Sequence, residues 1–245
     1  MVVPVHNEGD GVTAFLERLF EALSLPAEVL CVYDGPEDTT LPTLHHVAQR
    51  EPRLRAVHNT YGRGPANAIR FGIDNAIADV VVVTMADGSD DPMQIDPLTR
   101  LVERGVVVAC ASRYMRGGQQ VGGPWLKGRI SRTAGVSLRV FGRVGTHDAT
   151  NSFKAYSRAF VRKVGIESDA GFEMGLEMVA KARRLRLPVA ELPTIWLDRT
   201  GGVSNFKVRA WMPRYLRWYL YALGMGRTDA RRGTQPDSSL EAASE

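Results

Sequence analysis

Four consecutive valines, Val80–Val83, form the sequence feature that most restricts how this chain can fold. A short, unbroken run of β-branched apolar residues is typical of a strand buried on both faces, as in a parallel sheet covered by helices. The run leads into a loop that carries Asp87, Asp90 and Asp91 before Pro92. Ligands bind at the carboxyl ends of strands in open α/β sheets, so this loop is a candidate site for Mg²⁺ or Mn²⁺. A solvated acidic turn, with Asp91 capping the next helix, explains the same residues equally well.

Strand-like and helix-like segments alternate through the first half of the chain. Apolar runs predict strands at residues 1–5, 28–33, 54–58 and 105–111. Helical spacing predicts helices at residues 11–23 and 41–49, one that follows the glycines of residues 59–64 and ends near residue 78, and one that ends at residue 101. This order predicts an α/β, Rossmann-like fold with right-handed crossovers and a mostly parallel central sheet flanked by helices. Such a fold commonly binds nucleotides, although the fold alone does not determine function.

The second half begins with a glycine-rich segment, SRYMRGGQQVGGPW, which predicts a mobile loop. A helix is predicted at residues 126–141, with Arg129 and Arg132 one turn apart on a shared face. Two guanidinium groups so placed can bind one phosphate, although a solvated basic face is the commoner explanation of an isolated pair. The remaining predicted elements are a strand at residues 148–156, a helix at residues 171–182 with Glu173 and Glu177, and two edge strands at residues 187–197 broken by Pro193.

The last predicted element is a Trp- and Tyr-rich amphipathic helix at residues 208–223. Its basic flanks suit a membrane interface, but packing against the sheet is at least as common for such a helix. From about residue 225 the sequence is polar and poor in apolar residues, which predicts a disordered tail over residues 225–245.

Charge is divided unevenly along the chain, although the net charge is only +4. Residues 1–112 carry 8 basic and 16 acidic side chains, whereas residues 113–217 carry 20 basic and 7 acidic ones. The first part therefore needs a cation to hold an anionic ligand, and the second can attract phosphate groups or an anionic membrane surface directly. No recognition helix, zinc-ligand spacing or ribonucleoprotein motif accompanies the basic part, so nucleic acid is not an expected partner.

Cysteine usage and hydropathy indicate the compartment. Cys31 and Cys110 each lie in an apolar strand-like run, which favours reduced core thiols and a reducing cytosol. No run approaches the roughly 20 apolar residues needed to cross a bilayer, and the N-terminus lacks a basic region followed by an apolar one. We therefore expect a cytoplasmic protein that is neither secreted nor membrane-spanning. Because the chain is strand-like from Met1, we also expect a short preceding segment to be missing.

Nine short segments occur in the order found in one known family: VVPVHNEG, VYDGPEDTT, YGRGPANAIRFGI, the acidic strand end, SRY, ISR, DATNSFKAYSR, GFEMGLEMVAKA and DRTGGVSNFK. Through them the chain resembles the family 2 glycosyltransferases of the GT-A fold, and among these the dolichyl-phosphate mannosyltransferases and bacterial polyprenyl-phosphate glycosyltransferases. Each segment alone is a weak signal, but nine in the family's order are a strong one. The resemblance implies a GT-A domain at residues 1–224, with a nucleotide-sugar-binding half at residues 1–112 and an acceptor-binding half at residues 113–224.

The resemblance implies an inverting transfer of mannose, glucose or a similar sugar from a GDP- or UDP-sugar to a polyprenyl or dolichyl phosphate. Asp34 is the residue expected to accept hydrogen bonds from the base. Because uracil N3–H and the guanine edge both present donors, this carboxylate does not distinguish UDP from GDP. The residues that the resemblance implies in nucleotide-sugar binding are Pro4, Asn7, Glu8, Asp34, Arg63, Asp87, Arg199 and Lys207.

The metal motif of the family, Asp-x-Asp, falls on Met85-Ala86-Asp87, so its first carboxylate is absent here. The resemblance still implies that Asp87 binds Mg²⁺ or Mn²⁺ directly, with Ser89 supplying another oxygen and the pyrophosphate and waters completing an octahedron. Asp90 or Asp91 is expected to compensate for the missing carboxylate through water.

The acceptor side implied by the resemblance is basic. Arg113 and Arg132 are expected to hold the acceptor phosphate, with help from Arg129. A lipid phosphate is already an anion near neutral pH, so its attack needs little general-base assistance. Asp148 matches an acidic residue of the family's active site and is expected to orient the acceptor or act as a base, with a structural capping role equally open. The implied catalytic set is therefore Asp87, Asp148, Arg113 and Arg132.

The implied location is peripheral, on the cytoplasmic face of the membrane that carries the lipid. Two alternatives remain open. The same fold can glycosylate a glycan or a soluble acceptor, and the absent first carboxylate at Met85 also fits a non-catalytic protein that binds nucleotide-sugars.

Overall fold

The computed structural model describes residues 1–123, 125–169, 171–198 and 208–226. The strands are β1 (Val2–Pro4), β2 (Val29–Tyr33), β3 (Leu54–His58), β4 (Val80–Val83), β5 (Val108–Ser112), β6 (Gln119–Val121), β7 (Lys154–Ser157), β8 (Val189–Pro193) and β9 (Ile195–Leu197). The helices are α1 (Val12–Ala22), α2 (Leu41–Ala48), α3 (Pro65–Asn75), α4 (Ile95–Glu103), α5 (Trp125–Ser137), α6 (Arg158–Val164), α7 (Met174–Arg184) and α8 (Val208–Ala222).

Seven of the described strands form one sheet in the order β3-β2-β1-β4-β7-β5-β8. Strand β7 runs antiparallel to both of its neighbours, and the other pairs in this sheet are parallel. The valine run becomes β4 in the middle of the sheet, where Val81, Val82 and Val83 are buried. The predicted α/β fold with a mostly parallel central sheet is confirmed.

Helices cover both faces of the sheet because successive residues of a strand point to opposite sides. In β4, Val81 and Val83 join one apolar cluster, whereas Val82 joins the other. Apolar residues of α3, α7 and α8 complete the first cluster, and those of α1 and α4 complete the second. Helix α1 buries its apolar residues at helical spacing, namely Val12, Phe15, Leu16 and Leu19.

Close packing of α3 on the sheet depends on a glycine. A Cβ at Gly72 would overlap the side chain of Val2 in β1, so only a residue without one allows this approach. Helix α3 begins at Pro65 after Gly64, whose φ of 118° lies in the region that favours glycine. The glycines of this segment therefore set both the start of α3 and its contact with β1.

Both cysteines are free and buried, as the sequence predicts. Cys31 lies in β2 and Cys110 in β5. Burial raises the pKa of the Cys31 thiol to about 12 and that of Cys110 to about 11. Both side chains act as small apolar core residues rather than as nucleophiles.

One prediction for the second half is wrong, and a neighbouring one is confirmed. The glycine-rich segment predicted as a loop contains β6, which pairs in parallel with β9 as a separate two-stranded sheet, here called the ribbon. The two edge strands predicted at residues 187–197 are confirmed, because β8 lies at the edge of the large sheet and β9 is one of the two strands of the ribbon. Pro193 is the last residue of β8, where the missing N–H is tolerated.

Two further predicted elements start later in the structure than in the sequence pattern. The strand predicted at residues 148–156 begins only at Lys154, because Asp148 and Asn151 form a hydrogen-bonded turn. Glu173 precedes α7 instead of lying within it. The helix predicted at residues 126–141 is present as α5 followed by a π-helical turn, Leu138–Gly142.

The predicted C-terminal amphipathic helix is present as α8, which packs on α7 and buries Trp218 and Ala222. Among the helices in the described ranges, none has the length and apolar character needed to cross a bilayer. Arg199 and Lys207 lie outside the described residues, as does most of the predicted disordered tail, residues 227–245.

Candidate active site

The predicted site residues that the structure describes gather at one edge of the sheet. Pro4 ends β1, Asp34 follows β2 and Asp87 follows β4. These strands run parallel, so their carboxyl ends meet at the same edge. Arg113 follows β5, which has the same direction because the antiparallel β7 lies between it and β4. The structure therefore brings donor-side and acceptor-side residues to a common edge.

Hydrogen bonds join the loops that follow β1 and β2. The Asn7 N–H donates to Asp38 Oδ1 at 3.0 Å, and the Asn7 Oδ1 accepts from the Thr39 N–H at 3.2 Å. The Glu8 N–H donates to Thr40 Oγ1 at 3.0 Å. Asn7 has a positive φ of 56°, a conformation that asparagine adopts more readily than most residues. These contacts fix the backbone of Asn7 and Glu8, whose binding of nucleotide stays a prediction.

Asp34 links the end of β2 to the start of α3. Its Oδ1 accepts from Asn59 Nδ2 at 2.8 Å, and its Oδ2 accepts from the Gly64 N–H at 2.8 Å. Each oxygen has a further lone pair, so these bonds orient the carboxylate without exhausting its capacity to accept. Arg63, exposed in the same loop, forms an ion pair with Glu37. The predicted roles of Asp34 and Arg63 toward a nucleotide are compatible with this geometry and are not tested by it.

The acidic loop is ordered by its own side chains. Asp87 Oδ1 accepts from the Ser89 N–H at 3.0 Å. Asp91 caps the 3₁₀ turn Pro92–Gln94, because its Oδ1 accepts from the Met93 N–H at 3.1 Å. The capping role that the sequence left open for Asp91 is confirmed.

Asp90 turns inward toward the end of β4. Its Oδ2 accepts from Thr84 Oγ1 at 3.0 Å and from the Met85 N–H at 3.4 Å. Burial, and then the nearby Asp87 charge, raise the pKa of Asp90 to about 7. The side chain of Met85 packs against the apolar cluster beneath the sheet. Asp90 therefore lies beside the position where the first carboxylate of the family motif is missing.

The donor set of this loop fits a hard divalent cation only in part. Asp87 and Ser89 offer oxygen ligands, and Ser89 Oγ is buried with no hydrogen-bond partner in the described part of the chain. Oxygen ligands of this kind suit Mg²⁺ or Mn²⁺. No group of three or more His, Cys, Asp or Glu in the described ranges forms a complete metal site. A bound ion here would depend on oxygens from its ligand, as a diphosphate provides.

An ion pair dominates the acceptor side. Arg113 donates from Nε to Asp148 Oδ2 at 2.7 Å and from Nη2 to Oδ1 at 2.9 Å, and its backbone N–H donates to Oδ2 at 3.1 Å. Asp148 is fully buried, and the Arg113 side chain is largely so. Although burial favours the neutral acid, the Arg113 guanidinium holds the pKa of Asp148 below its ordinary value. Asp148 is thus an ion-paired carboxylate that orients Arg113, and its Oδ1 also accepts from the Asn151 N–H in a turn.

Aromatic rings and α5 surround the Arg113 guanidinium. Its carbon lies 4.9 Å from the ring centre of Tyr114 and 5.9 Å from that of Trp196 in β9. Ser131 of α5 accepts from Arg113 Nη2 at 3.4 Å. The ribbon also reaches the acidic loop, since the Leu197 N–H donates to Ser89 O at 3.0 Å. The acidic loop, Arg113 and the ribbon therefore form one continuous site.

Arg129 and Arg132 are exposed on α5, on the shared face that the sequence predicts. The Arg129 guanidinium lies 5.9 Å from the ring centre of Trp125. Helix α5 touches the turn that carries Asp148, because a Cβ at Gly135 would overlap the His147 carbonyl oxygen. Phosphate binding by these two arginines stays a prediction.

Sequence reasoning missed three charged groups near the site, of which Lys154 and Glu173 are buried and Glu191 is partly buried. Lys154, fully buried in β7, donates to the carbonyl of Asn151, and burial lowers its pKa. Glu191 of β8 accepts from the His147 N–H at 2.8 Å and from Thr146 Oγ1 at 3.1 Å, which holds the turn before Asp148. Glu173 was noted only as half of a helical pair. The signal available for Lys154 and Glu191 was a charged residue inside a predicted strand.

Comparison with solved structures identifies the class of fold. A structure of glucosyl-3-phosphoglycerate synthase from Mycobacterium tuberculosis, with Mn²⁺, UDP and glucosyl-3-phosphoglycerate, matches with a TM-score of 0.67 at 15% identity, covering 93% of this chain and 80% of that one. A complex of the same enzyme with Mg²⁺ and UDP matches with a TM-score of 0.66 at 16% identity, covering 93% and 79%. The fold of this chain is the GT-A fold of glycosyltransferases.

The family follows from the sequence match. Residues 1–165 match the profile of Glycosyl transferase family 2, and the chain belongs to that family. Its expected resemblance to these glycosyltransferases is confirmed.

Three curated proteins are similar in sequence to this chain over most of its length. Polyprenol monophosphomannose synthase of Mycolicibacterium smegmatis is 28% identical over 242 residues, covering 95% of this chain and 89% of the relative. Undecaprenyl-phosphate mannosyltransferase of Micrococcus luteus is 27% identical over 210 residues, covering 83% and 85%. Dolichol-phosphate mannosyltransferase of Pyrococcus furiosus is 26% identical over 230 residues, covering 91% and 62%.

Proposed function

We propose that this glycosyltransferase transfers mannose, glucose or a similar sugar from a GDP- or UDP-sugar to a polyprenyl phosphate, with inversion at the anomeric carbon. The Arg113–Asp148 pair is the observation that carries the proposal. Transfer to a sugar hydroxyl requires a base, whereas a phosphate acceptor is already an anion. A carboxylate held in an ion pair is a poor base, but it presents a rigid guanidinium to an anionic acceptor. The printed names of the three curated relatives support the same acceptor class.

On the donor side, Asp87 and Ser89 are proposed to hold Mg²⁺ or Mn²⁺ together with the diphosphate. When bound, the ion neutralises charge on the departing diphosphate. Asp34 is proposed to orient the base, with Pro4, Asn7, Glu8 and Arg63 contributing to the nucleotide site. Structural neighbours crystallised with Mn²⁺ or Mg²⁺ and UDP support this arrangement. Arg199 and Lys207, outside the described residues, are proposed to bind the diphosphate.

On the acceptor side, Arg113 is proposed to orient the lipid phosphate for attack, assisted by Arg132 and Arg129. Asp148 fixes the Arg113 guanidinium through two hydrogen bonds. The guanidinium therefore loses little conformational entropy when the acceptor binds. Two anionic reactants are brought together in this way by the cation on the donor side and the guanidinium groups on the acceptor side.

A lipid acceptor requires contact with a membrane, and we propose a peripheral location on the cytoplasmic face. Helix α5 supports this proposal, because Trp125, Arg129, Arg132 and Val136 follow one another at spacings of three or four residues and are all exposed. Aromatic, basic and aliphatic side chains on one exposed helix face are typical of an interfacial helix.

The test is transfer of label from radioactive GDP- and UDP-sugars to polyprenyl phosphate, measured in the organic phase in the presence of Mn²⁺. We expect one donor to give a labelled lipid, with label lost in Asp87→Asn and reduced at least tenfold in Arg132→Ala. Arg162→Ala, an exposed arginine on α6, is the matched control and should retain transfer.

Other outcomes favour the alternatives. Label in a glycan or soluble acceptor that survives Arg132→Ala would favour a different acceptor class. Nucleotide-sugar binding without turnover on any acceptor would favour a non-catalytic binding protein.

A further inference from the structure

A buried carboxylate without a partner precedes α7. Glu173 is 1% exposed, and its side chain makes no capping bond to the helix. Neither of its carboxylate oxygens has a hydrogen-bond partner within the described part of the chain. Glu177, one turn later, is equally buried but fully engaged, because it accepts from the backbone of Glu167 at 2.7 Å and of Ser168 at 2.9 Å and pairs with Lys181 at 2.6 Å. The two glutamates that looked alike in the sequence therefore have different roles.

An unpaired buried carboxylate is costly to a fold. Removing an ionised carboxylate from water without a compensating hydrogen bond costs several kcal/mol. Most buried polar side chains in proteins have partners, and an exception usually has an explanation such as a functional role, local strain or a bound water or ion. Glu177 is explained by its structural contacts, whereas Glu173 has no such explanation among the described residues.

The start of α7 lies against the acceptor side of the site. A Cβ at Gly175, two residues after Glu173, would lie 3.0 Å from the Asn151 carbonyl oxygen and 3.3 Å from Lys154 Nζ. Asn151 belongs to the turn of Asp148, which is the partner of Arg113.

Electrostatics also link Glu173 with Arg113, because both charges act on the hydroxyl of Tyr215. Burial, and then the Glu173 carboxylate, raise the pKa of the Tyr215 hydroxyl on α8, while Arg113 opposes this effect. Tyr215 thus lies within electrostatic reach of both Glu173 and Arg113. Glu173 therefore belongs to the neighbourhood of the site and not to a remote part of the core.

The chemistry of a carboxylate restricts what could satisfy it. Glu173 would repel the diphosphate of the donor and the phosphate of the acceptor. It can accept two O–H hydrogen bonds, and neighbouring hydroxyl groups of a sugar ring present such donors. We propose that Glu173 binds hydroxyl groups of the transferred sugar and so helps to select the donor. This inference rests on the proposed function only in requiring a nucleotide-sugar donor, and it is independent of the acceptor.

The test separates recognition of the sugar from recognition of the nucleotide. Calorimetry with Mn²⁺ would compare GDP with GDP-mannose and UDP with UDP-glucose, in the wild type and in Glu173→Gln. We expect the variant to bind the preferred nucleotide-sugar at least tenfold more weakly, while the affinity for the corresponding nucleoside diphosphate changes less than twofold. Glu173→Asp keeps the charge but shortens the side chain by one methylene, so it should give an intermediate loss of affinity for the nucleotide-sugar. This variant replaces Glu173→Gln in the test if Glu173→Gln does not fold.

A deoxy-sugar analogue provides a double-mutant cycle. The analogue that lacks the contacted hydroxyl should bind the wild type and Glu173→Gln equally, because each change removes the same hydrogen bond. Glu103→Gln, at an exposed position of α4, is the control and should leave both affinities unchanged.

Three results would overturn the inference. Equal weakening of nucleotide and nucleotide-sugar would mean that Glu173 supports the fold or the nucleotide site. Unchanged affinity for every nucleotide-sugar would mean that it does not touch the sugar. Loss of turnover with unchanged donor affinity would instead make Glu173 a base, and would favour a hydroxyl acceptor. The calorimetric measurements use no lipid acceptor, so a failure of lipid transfer does not affect the conclusion drawn from donor affinity.

Discussion

The charges of Asp148 and Arg113 compensate each other, and neither can be compensated by water because both side chains are largely buried. Three hydrogen bonds from Arg113 reach the carboxylate, and the backbone donor among them also fixes the start of the loop after β5. Removing one partner of a buried ion pair leaves the other as an uncompensated charge, which costs more than the pair contributes. The stability of the turn and the orientation of the proposed acceptor cation are therefore coupled.

Asp148→Asn keeps the shape of the side chain and removes its charge. We expect it to lower the free energy of unfolding by about 3–5 kcal/mol at pH 7, because Arg113 remains buried without a counter-charge. The pKa of Asp148 is lower in the folded protein than in the unfolded chain, where it is about 3.9. The contribution of Asp148 to the free energy of unfolding is therefore complete above the unfolded pKa of about 3.9 and is lost as the pH falls through the lower folded pKa.

Urea unfolding of the wild type and Asp148→Asn at pH 7 and at pH 3 would measure this effect. The difference between the two proteins should shrink at pH 3, because the unfolded wild-type chain binds a proton at Asp148 below about 3.9 while the folded carboxyl has a lower pKa. Glu103→Gln, exposed on α4, should differ little from the wild type at either pH. A difference of the same size at both pH values would contradict an electrostatic role for Asp148.

Residue types near the site were predictable, but their pairings were not. Asp87, Arg113 and Asp148 follow or precede recognisable strands, which made them candidates. Arg113 and Asp148 are 35 residues apart in sequence, and nothing local indicates that they form a salt bridge. The same holds for Glu173, because only the folded structure shows which buried carboxylates are satisfied.

Helix α5 shows how one element can be predicted while its neighbour is missed. Helix α5 spans Trp125–Ser137, and the helix predicted at residues 126–141 covers most of it. The ribbon strands β6 and β9 contain three residues each and are separated by 73 positions, so no local pattern reveals their pairing. Short strands of polar and glycine-rich sequence form only because the other strand is held nearby.

Contact between α5 and the turn of Asp148 depends on Gly135. In Gly135→Ala the new methyl group would collide with the His147 carbonyl, and a backbone atom cannot rotate away. We expect a loss of about 1–3 kcal/mol in stability from overpacking, although alanine is the better helix former. The displaced turn should also weaken binding of the acceptor. Thermal unfolding and acceptor KM would measure the two effects.

Gly128→Ala is the matched control in the same helix. A Cβ there would approach only the Gln120 side chain, at 3.1 Å from Nε2, and that side chain can move. It should therefore be neutral or slightly stabilising, because alanine favours the helix by about 0.8–1.0 kcal/mol. If Gly135→Ala and Gly128→Ala have the same thermal stability and the same acceptor KM, α5 is not held against the Asp148 turn.

At the scale of the whole molecule, exposed apolar side chains extend from the ribbon along α5 to α8. The ribbon exposes Val121, Ile195 and Leu197, and α8 exposes Met212, Leu216 and Leu220. Helix α5 lies between them, with Trp125 71% exposed at its start and Phe141 77% exposed in the π-helical turn at its end. The hydroxyl groups of Ser137 and Tyr219, 2.9 Å apart, join α5 to α8.

This surface lies in the basic part of the chain, whose charge the sequence showed, but the sequence did not show which apolar side chains are exposed. The uneven charge along the chain was readable from composition, and it favoured a phosphate-rich or membrane partner. For the aromatic residues of α8 the sequence left open a membrane interface or packing against the sheet, and Trp218 is buried against the core. Among the residues of this part of the chain whose burial the structure describes, the most exposed aromatic side chains are Trp125 in α5 and Phe141 in its π-helical turn. Their exposure depends on the folded structure and has no local sequence signal.

Vesicle flotation would test whether this surface meets a membrane. We expect the wild type to float with phosphatidylcholine vesicles that contain phosphatidylglycerol, and to float less as salt is added, because basic side chains are screened. Trp125→Ser and Phe141→Ser should each weaken vesicle binding about tenfold or more, since burying one large apolar side chain contributes about 1.5–3 kcal/mol. Ile77→Ser is the matched control, because Ile77 is 74% exposed but precedes β4 at the opposite edge of the sheet. Equal loss in the control, or flotation that ignores both substitutions, would mean that the membrane is met by another surface.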